Sequence, residues 1–144
     1  MEITLRRLTI DDYDDMVRVW GVAGLPIRPQ GRDGRAMLAV ELSRELCASF
    51  GAFDGGRLVG LALANYDGRR GWVNRVAVDP DYRGRGLATA LIQECEKFLN
   101  QIGEVVICCL IEELNSPSME LFAKNGYRCE RSLTYWTKRP RPDL

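Results

Sequence analysis

The chain has 144 residues with 20 basic and 20 acidic side chains, so its formal net charge is zero and nothing in the overall balance draws it to nucleic acid or an anionic membrane. At 46% hydrophobic and 28% charged it has the make-up of a folded globule, one domain over residues 1–144. It contains no histidine, which excludes Ser-His and Cys-His nucleophile pairs, imidazole bases and every zinc site that uses His, and leaves proton chemistry to carboxylates, Tyr, Cys, Lys or water.

The N-terminal stretch MEITLRRLTIDDYDD has no hydrophobic signal segment, and no apolar run approaches the roughly 18 residues that span a bilayer. The expectation is a cytoplasmic protein. Ile3, Leu5 and Leu8 predict a first strand. Asp11 or Asp12 then opens a helix whose Tyr13, Met16, Val17 and Trp20 recur at helical spacing. Residues 21–32, rich in Gly, Pro and Arg, read as a loop, after which Asp33 is expected to cap a second helix through Leu38, Leu42 and Leu46.

The hydrophobic period then drops to two. Ala48 to Phe53 and Leu58 to Tyr66 read as strands joined by a tight turn at Asp54-Gly55-Gly56. A second turn at residues 67–71 leads into a third strand, Trp72 to Val78. Leu87, Ala88, Leu91, Ile92, Cys95, Phe98 and Leu99 form the apolar stripe of a long helix, which must lie on a sheet. Val105 to Ile111 is a further apolar strand, Ser116-Pro117 starts another helix, and closing strands are expected at Tyr127 to Cys129 and Leu133 to Thr137. An antiparallel meander followed by a strand-helix-strand unit implies an α/β (α+β) domain, with a mixed, mostly antiparallel sheet and helices on both faces. The five cysteines, Cys47, Cys95, Cys108, Cys109 and Cys129, lie in or beside apolar runs without CxxC spacing, which suits reduced core thiols and no metal.

The segment between the third strand and the long helix carries the chemistry. Gly84 and Gly86 lack a Cβ, so the turn can take positive φ and an anion can approach the main chain. The orphan N–H groups and the positive end of the helix dipole then face that anion, with Arg83 and Arg85 beside it. Neither familiar glycine loop fits. GxxxxGK[ST] is absent, and Gly84-Arg85-Gly86-Leu87-Ala88-Thr89 ends in Thr where a GxGxxG fingerprint needs Gly. A nucleotide binder using the same loop remains one open reading.

Arg83, Gly86 and Ala88 match the pattern [QR]xxGx[GA], and Val76-Ala77-Val78-Asp79-Pro80 precedes it; Asn115 opens a segment that closes at Gly126-Tyr127. In these residues the chain resembles the GCN5-related N-acetyltransferase (GNAT) family, from about Ile3 to Thr137. The resemblance implies the GNAT fold with a sheet of six to seven strands, and transfer of an acetyl group from acetyl-coenzyme A to an amine by direct attack. It implies that the cofactor contacts fall on Val76, Ala77, Val78, Arg83, Gly84, Arg85, Gly86, Leu87, Ala88, Asn115 and Phe122. Backbone N–H groups of the Val76–Val78 strand would stabilise the oxyanion and hold the pantetheine arm as one more strand.

The chain also departs from the family pattern. Phe122 stands where many members place a Tyr acid, and Trp72 where some carry a Glu base. Glu112, next to Glu113, is the carboxylate best placed by sequence to act as base. Asn115 either positions pantetheine or a water, or caps its helix. Tyr13, Tyr66 and Tyr135 are alternative acids that nothing in the sequence brings to the sulfur. Arg28, Arg32 and Arg35 border the loop where the family gates its acceptor, and either meet an anionic acceptor or are solvated. The implied acceptor is a small-molecule amine or a protein N-terminal α-amine, and the absent Glu favours an α-amine, whose pKa near 8 needs no strong base. Loss of both groups leaves a coenzyme A binding or sensing module as the alternative function. A homodimer is compatible with the sequence.

Overall fold

The computed structural model describes residues 2–143, which fall into two compact units divided between Leu110 and Ile111. The first unit holds β1 (Ile3–Arg7), α1 (Tyr13–Ala23), α2 (Arg35–Ser43), β2 (Cys47–Asp54), β3 (Arg57–Tyr66), β4 (Arg70–Val78), α3 (Leu87–Asn100) and β5 (Val106–Cys108). The second holds α4 (Ser116–Lys124).

The five strands lie in the order β1-β2-β3-β4-β5, antiparallel from β1 to β4 and parallel between β4 and β5. The meander forms because Gly55, at φ 61°, makes the β2–β3 turn within two residues, and Asp67 closes the next turn by accepting from the Arg69 and Arg70 N–H groups at 2.8 and 2.7 Å. Along β3 the two side-chain sets part. Leu61 and Leu63 join Met16, Val19, Trp20 and Leu38 in the core under α1 and α2. Gly60, one residue out of phase, meets Leu91 of α3 on the other face. α3 approaches closely there and at Gly71, where an added Cβ would lie 2.9 Å from a Leu99 methyl. Leu91, Ile92, Cys95 and Leu99 are completely buried, each leucine contributing about 1.5–3 kcal/mol, so burial of this stripe fixes where the N-terminus of α3 points.

Several expectations change. The sheet has five strands among the described residues, not six to seven. Leu133 to Thr137 is exposed on both of its alternating faces, and its polar groups bond locally, Trp136 Nε1 donating to Thr134 Oγ1 at 2.6 Å, so it has neither a buried side nor a ladder partner. Tyr127 to Cys129 is likewise irregular: the Tyr127 N–H closes the end of α4 on the Phe122 carbonyl at 3.0 Å, and Arg128 pairs with Glu130. β5 is shorter than Val105 to Ile111. The turn into α1 is capped by Thr9, whose hydroxyl accepts from Asp11 N–H while Asp12 accepts from Thr9 N–H, a reciprocal capping box. Gly34, not Asp33, precedes α2, and α2 ends before Leu46, which is exposed. Cys47 and Cys95 are buried as expected, Cys108 and Cys109 are half-buried, and Cys129 is exposed because its segment joins no strand.

Candidate functional site

β4 builds the site in two ways. It is paired with β3 from Gly71 to Val78, but with β5 only from Arg70 to Trp72, so the edge from Val73 to Val78 extends past the end of the parallel ladder. Its register with β3 also breaks. Leu61 faces Ala77 and Leu63 faces Asn74, so Ala62 stands opposite two residues, Arg75 and Val76, a β-bulge. Arg75 takes φ 52°, the one positive φ outside glycine among the described residues, a conformation that costs of order 1–3 kcal/mol. The bulge therefore falls at the start of the Val76–Val78 segment, whose other edge extends beyond the end of β5.

The chain leaves β4 at Asp79, which is nearly buried and accepts from the Asp81 N–H at 2.9 Å to cap a 3-10 turn at Pro80–Tyr82. Arg57 lies 3.8 Å from the Asp79 carboxylate. Gly84 and Gly86 then both adopt φ 77°, as the glycine loop requires, with no heavy atom within 4 Å of where a Cβ would sit. Gly86 is the N-cap of α3, and no side chain caps this 14-residue helix. The helix thus begins with no side-chain cap at an exposed, dipole-positive end. An anionic diphosphate fits this arrangement.

The flanking arginines are not simply loose charges. Arg83 donates to the Ala23 carbonyl at the end of α1 at 3.4 Å, and the Arg85 guanidinium lies 5.1 Å from the Tyr82 ring centre. Beside the loop is an open cleft of about 500 Å³ lined by Asp54, Arg57, Asp79, Asp81, Tyr82 and Arg85. Tyr82 donates to Asp54 at 2.6 Å, and that bond pushes its phenol above the ordinary value.

On the other side of β4 lies a cluster that the sequence pattern did not reveal. Asp33 is completely buried, accepts from the Arg28 N–H at 2.6 Å, and pairs with Arg75 at 2.9 Å and Arg32 at 3.5 Å. Its backbone carbonyl accepts from the Tyr13 hydroxyl at 2.7 Å. Arg35 instead meets Asp14 at 3.4 Å and the Tyr13 ring. The one available signal was Arg75 itself, a charge inside an apolar strand, since such a residue is almost never buried without a partner.

Trp72 donates its Nε1 to Asp67 at 2.9 Å, so the residue at the place of the absent Glu belongs to the hairpin. In the second unit, Asn115 is the N-cap of α4, its Oδ1 accepting from the Ser118 N–H at 3.2 Å. Its own N–H donates to the Glu112 carbonyl at 2.9 Å, while the Glu112 and Glu113 side chains are exposed. Phe122 is buried edge-on to Tyr127, ring centres 5.0 Å apart. Tyr135 is exposed.

A sheet with a bulged strand running past its parallel neighbour into a glycine turn and an uncapped helix is the architecture of an acyl-coenzyme A binding α/β domain. The profile of the Acetyltransferase (GNAT) family matches residues 12–127, and the chain belongs to that family. It is an N-acetyltransferase with acetyl-coenzyme A as co-substrate. Among curated relatives, an acetyltransferase of Sodalis glossinidius is 31% identical over 129 residues, 90% of this chain and 89% of that protein. One from Pectobacterium atrosepticum is 31% identical over 134 residues, covering 93% and 92%. Among solved structures, the PaiA N-acetyltransferase of Thermoplasma acidophilum in complex with coenzyme A shares the fold with a TM-score of 0.78 at 22% identity, covering 90% of this chain and 92% of that one. The ribosomal-protein-S18-alanine N-acetyltransferase of Escherichia coli does so with a TM-score of 0.73 at 19% identity, covering 87% and 77%.

Proposed function

We propose that this enzyme acetylates an amine, either a small-molecule amine or the α-amine of a protein N-terminus, binding acetyl-coenzyme A with its diphosphate at Arg83–Ala88 and its thioester along Val76–Val78. The observation that carries this reading is the uncapped N-terminus of α3 behind two left-handed glycines, directly downstream of the β4 edge that outruns β5. The amine lone pair attacks the thioester carbon, main-chain N–H groups of β4 stabilise the oxyanion, and the C–S bond breaks as the amine proton passes to solvent or base. A thiol with a pKa of about 8.5 departs as thiolate near neutral pH, which accords with Phe122 in place of a Tyr acid.

Glu112 is the base we assign, and Asn115 and Phe122 contact the cofactor, as the family resemblance implies. The family match runs through Leu110 without a break, which supports one N-acetyltransferase domain over residues 1–144. Solved neighbours of the same fold include aminoglycoside acetyltransferases and an acetyltransferase of a ribosomal-protein alanine, in accord with either class of acceptor.

Thiol release measured on a panel of α-amines and lysine-type amines tests the reading. Turnover of α-amines at a kcat/KM at least about tenfold above ε-amines is expected, as their lower pKa supplies more free base. Thermal stabilisation by acetyl-coenzyme A with no turnover of any amine overturns the acceptor assignment in favour of a binding or sensing role. Preference for ATP over coenzyme A overturns both.

A further inference from the structure

The bulge that distorts β4 also aims Arg75. Its side chain leaves the sheet toward α1 and α2, where its guanidinium lies 2.9 Å from Asp33, 3.8 Å from Glu41 and 5.7 Å from the Trp20 ring centre. Asp33 in turn ties up its own loop. Its carboxylate accepts from the Arg28 N–H at 2.6 Å, and its N–H donates to the Arg28 carbonyl at 3.0 Å, so residues 28–33 are cinched into a closed turn around one buried charge. Arg75 immediately precedes Val76. The loop at residues 28–33 is therefore fastened within one side chain's reach of the backbone assigned to the thioester.

A regular strand would not need this arrangement. Glycine takes φ 52° without penalty, yet the position holds Arg, so the side chain must return something that the backbone conformation costs. Burial gives the same indication, because a carboxylate with no solvent exposure is retained only where it is paired.

We infer that Asp33 and Arg75 are a positioning pair that locks the 28–33 loop to the β4 bulge, so that the surface meeting the acceptor amine and the backbone meeting the thioester oxygen are held in one register. Neither residue touches the reacting atoms. This inference rests on the assignment of the thioester to Val76–Val78 and, from the family resemblance, of the 28–33 loop to the acceptor, and its test separates the pair from both.

The variants are Asp33→Asn, Arg75→Gly and the double variant, which leaves no charge buried alone and so guards against a single variant that fails to fold. Amide hydrogen exchange is followed at residues 28–34 and 74–78, with acetyl-coenzyme A affinity and acceptor kinetics alongside. Either single variant is expected to speed exchange in both segments by about tenfold or more, including the segment that was not mutated. Acceptor kcat/KM should fall about tenfold or more while acetyl-coenzyme A affinity changes less than about threefold, and the double variant should be no worse than the worse single one. The double variant relieves the strained φ and leaves no charge buried alone, so a merely structural role predicts unchanged kinetics for it. Faster exchange confined to the mutated segment, or kinetic losses that multiply in the double variant, overturns the pairing. If the unmutated enzyme acetylates no amine, the proposed function falls, and the exchange measurements still decide the pair.

Discussion

Gly24 and Gly86 offer a matched comparison. Both sit at helix ends with φ 77°, with ψ 18° and 12°, and neither would place a Cβ within 4 Å of any heavy atom. Replacing either by Ala adds no clash, only the left-handed backbone cost of roughly 1–2 kcal/mol. For a chain of this length that lowers Tm by about 3–6 °C. The two variants should therefore be equally destabilised. They should part in binding. At Gly86 the new methyl falls within the loop assigned to the diphosphate, where losing one charge-assisted hydrogen bond costs about 1.5–3 kcal/mol, or about 10- to 100-fold in affinity. Calorimetric unfolding paired with titration of acetyl-coenzyme A gives both quantities for each variant. Equal affinity in Gly86→Ala and the unmutated protein, or an equal loss in Gly24→Ala, refutes the reasoning.

Asp67 yields a pH prediction. The Arg70 N–H, then the Trp72 indole and the Arg69 N–H, hold its carboxyl down to about 2 from 3.8. Because the folded value is the lower one, its contribution is complete above about pH 4 and is lost as pH falls toward about 2; the stability difference between the unmutated protein and Asp67→Asn, measured by urea unfolding, should close across that window. A difference that persists unchanged below it contradicts the assignment. The thiols yield another. Cys129 is exposed, whereas burial pushes Cys95 to about 12 and Cys109 to about 11, so a thiol reagent at neutral pH should label Cys129 first and Cys95 only on unfolding, as read by peptide mass. Early labelling of Cys95 would show that α3 does not shield it.

The parts legible in the sequence were those governed by local rules. Gly84 and Gly86 could be read because only glycine takes such a loop without strain, and the meander because its period changes at Ala48. What escaped depends on partners distant in the chain. Asp33 has the residue type and the position of a helix cap, yet Arg75, 42 positions on, draws it into the interior, and Gly34 serves instead. The bulge is a property of β3 and β4 together, and nothing in Asn74-Arg75-Val76 alone marks it except a charge out of place. The cap that Asn115 provides to α4 is local, like the glycine loop, set by its place before Ser116-Pro117. The alternation at Leu133 to Thr137 is genuine strand chemistry, but alternation predicts a strand only where one face is covered.

The first strand has a bearing on how this protein behaves when concentrated. β1 is an outer strand of the sheet, and such a strand invites a neighbouring molecule to extend the ladder. Here Arg6 is clamped to Asp12 at 2.9 Å and lies over Phe53, and Arg7 reaches the Cys47 carbonyl at 2.9 Å and lies over Phe98. An intruding chain would meet one anchored arginine on each face of this strand, Arg6 on the side of Phe53 and Arg7 on the side of Phe98. Charged side chains held in place on an outer strand discourage intermolecular strand pairing at this border.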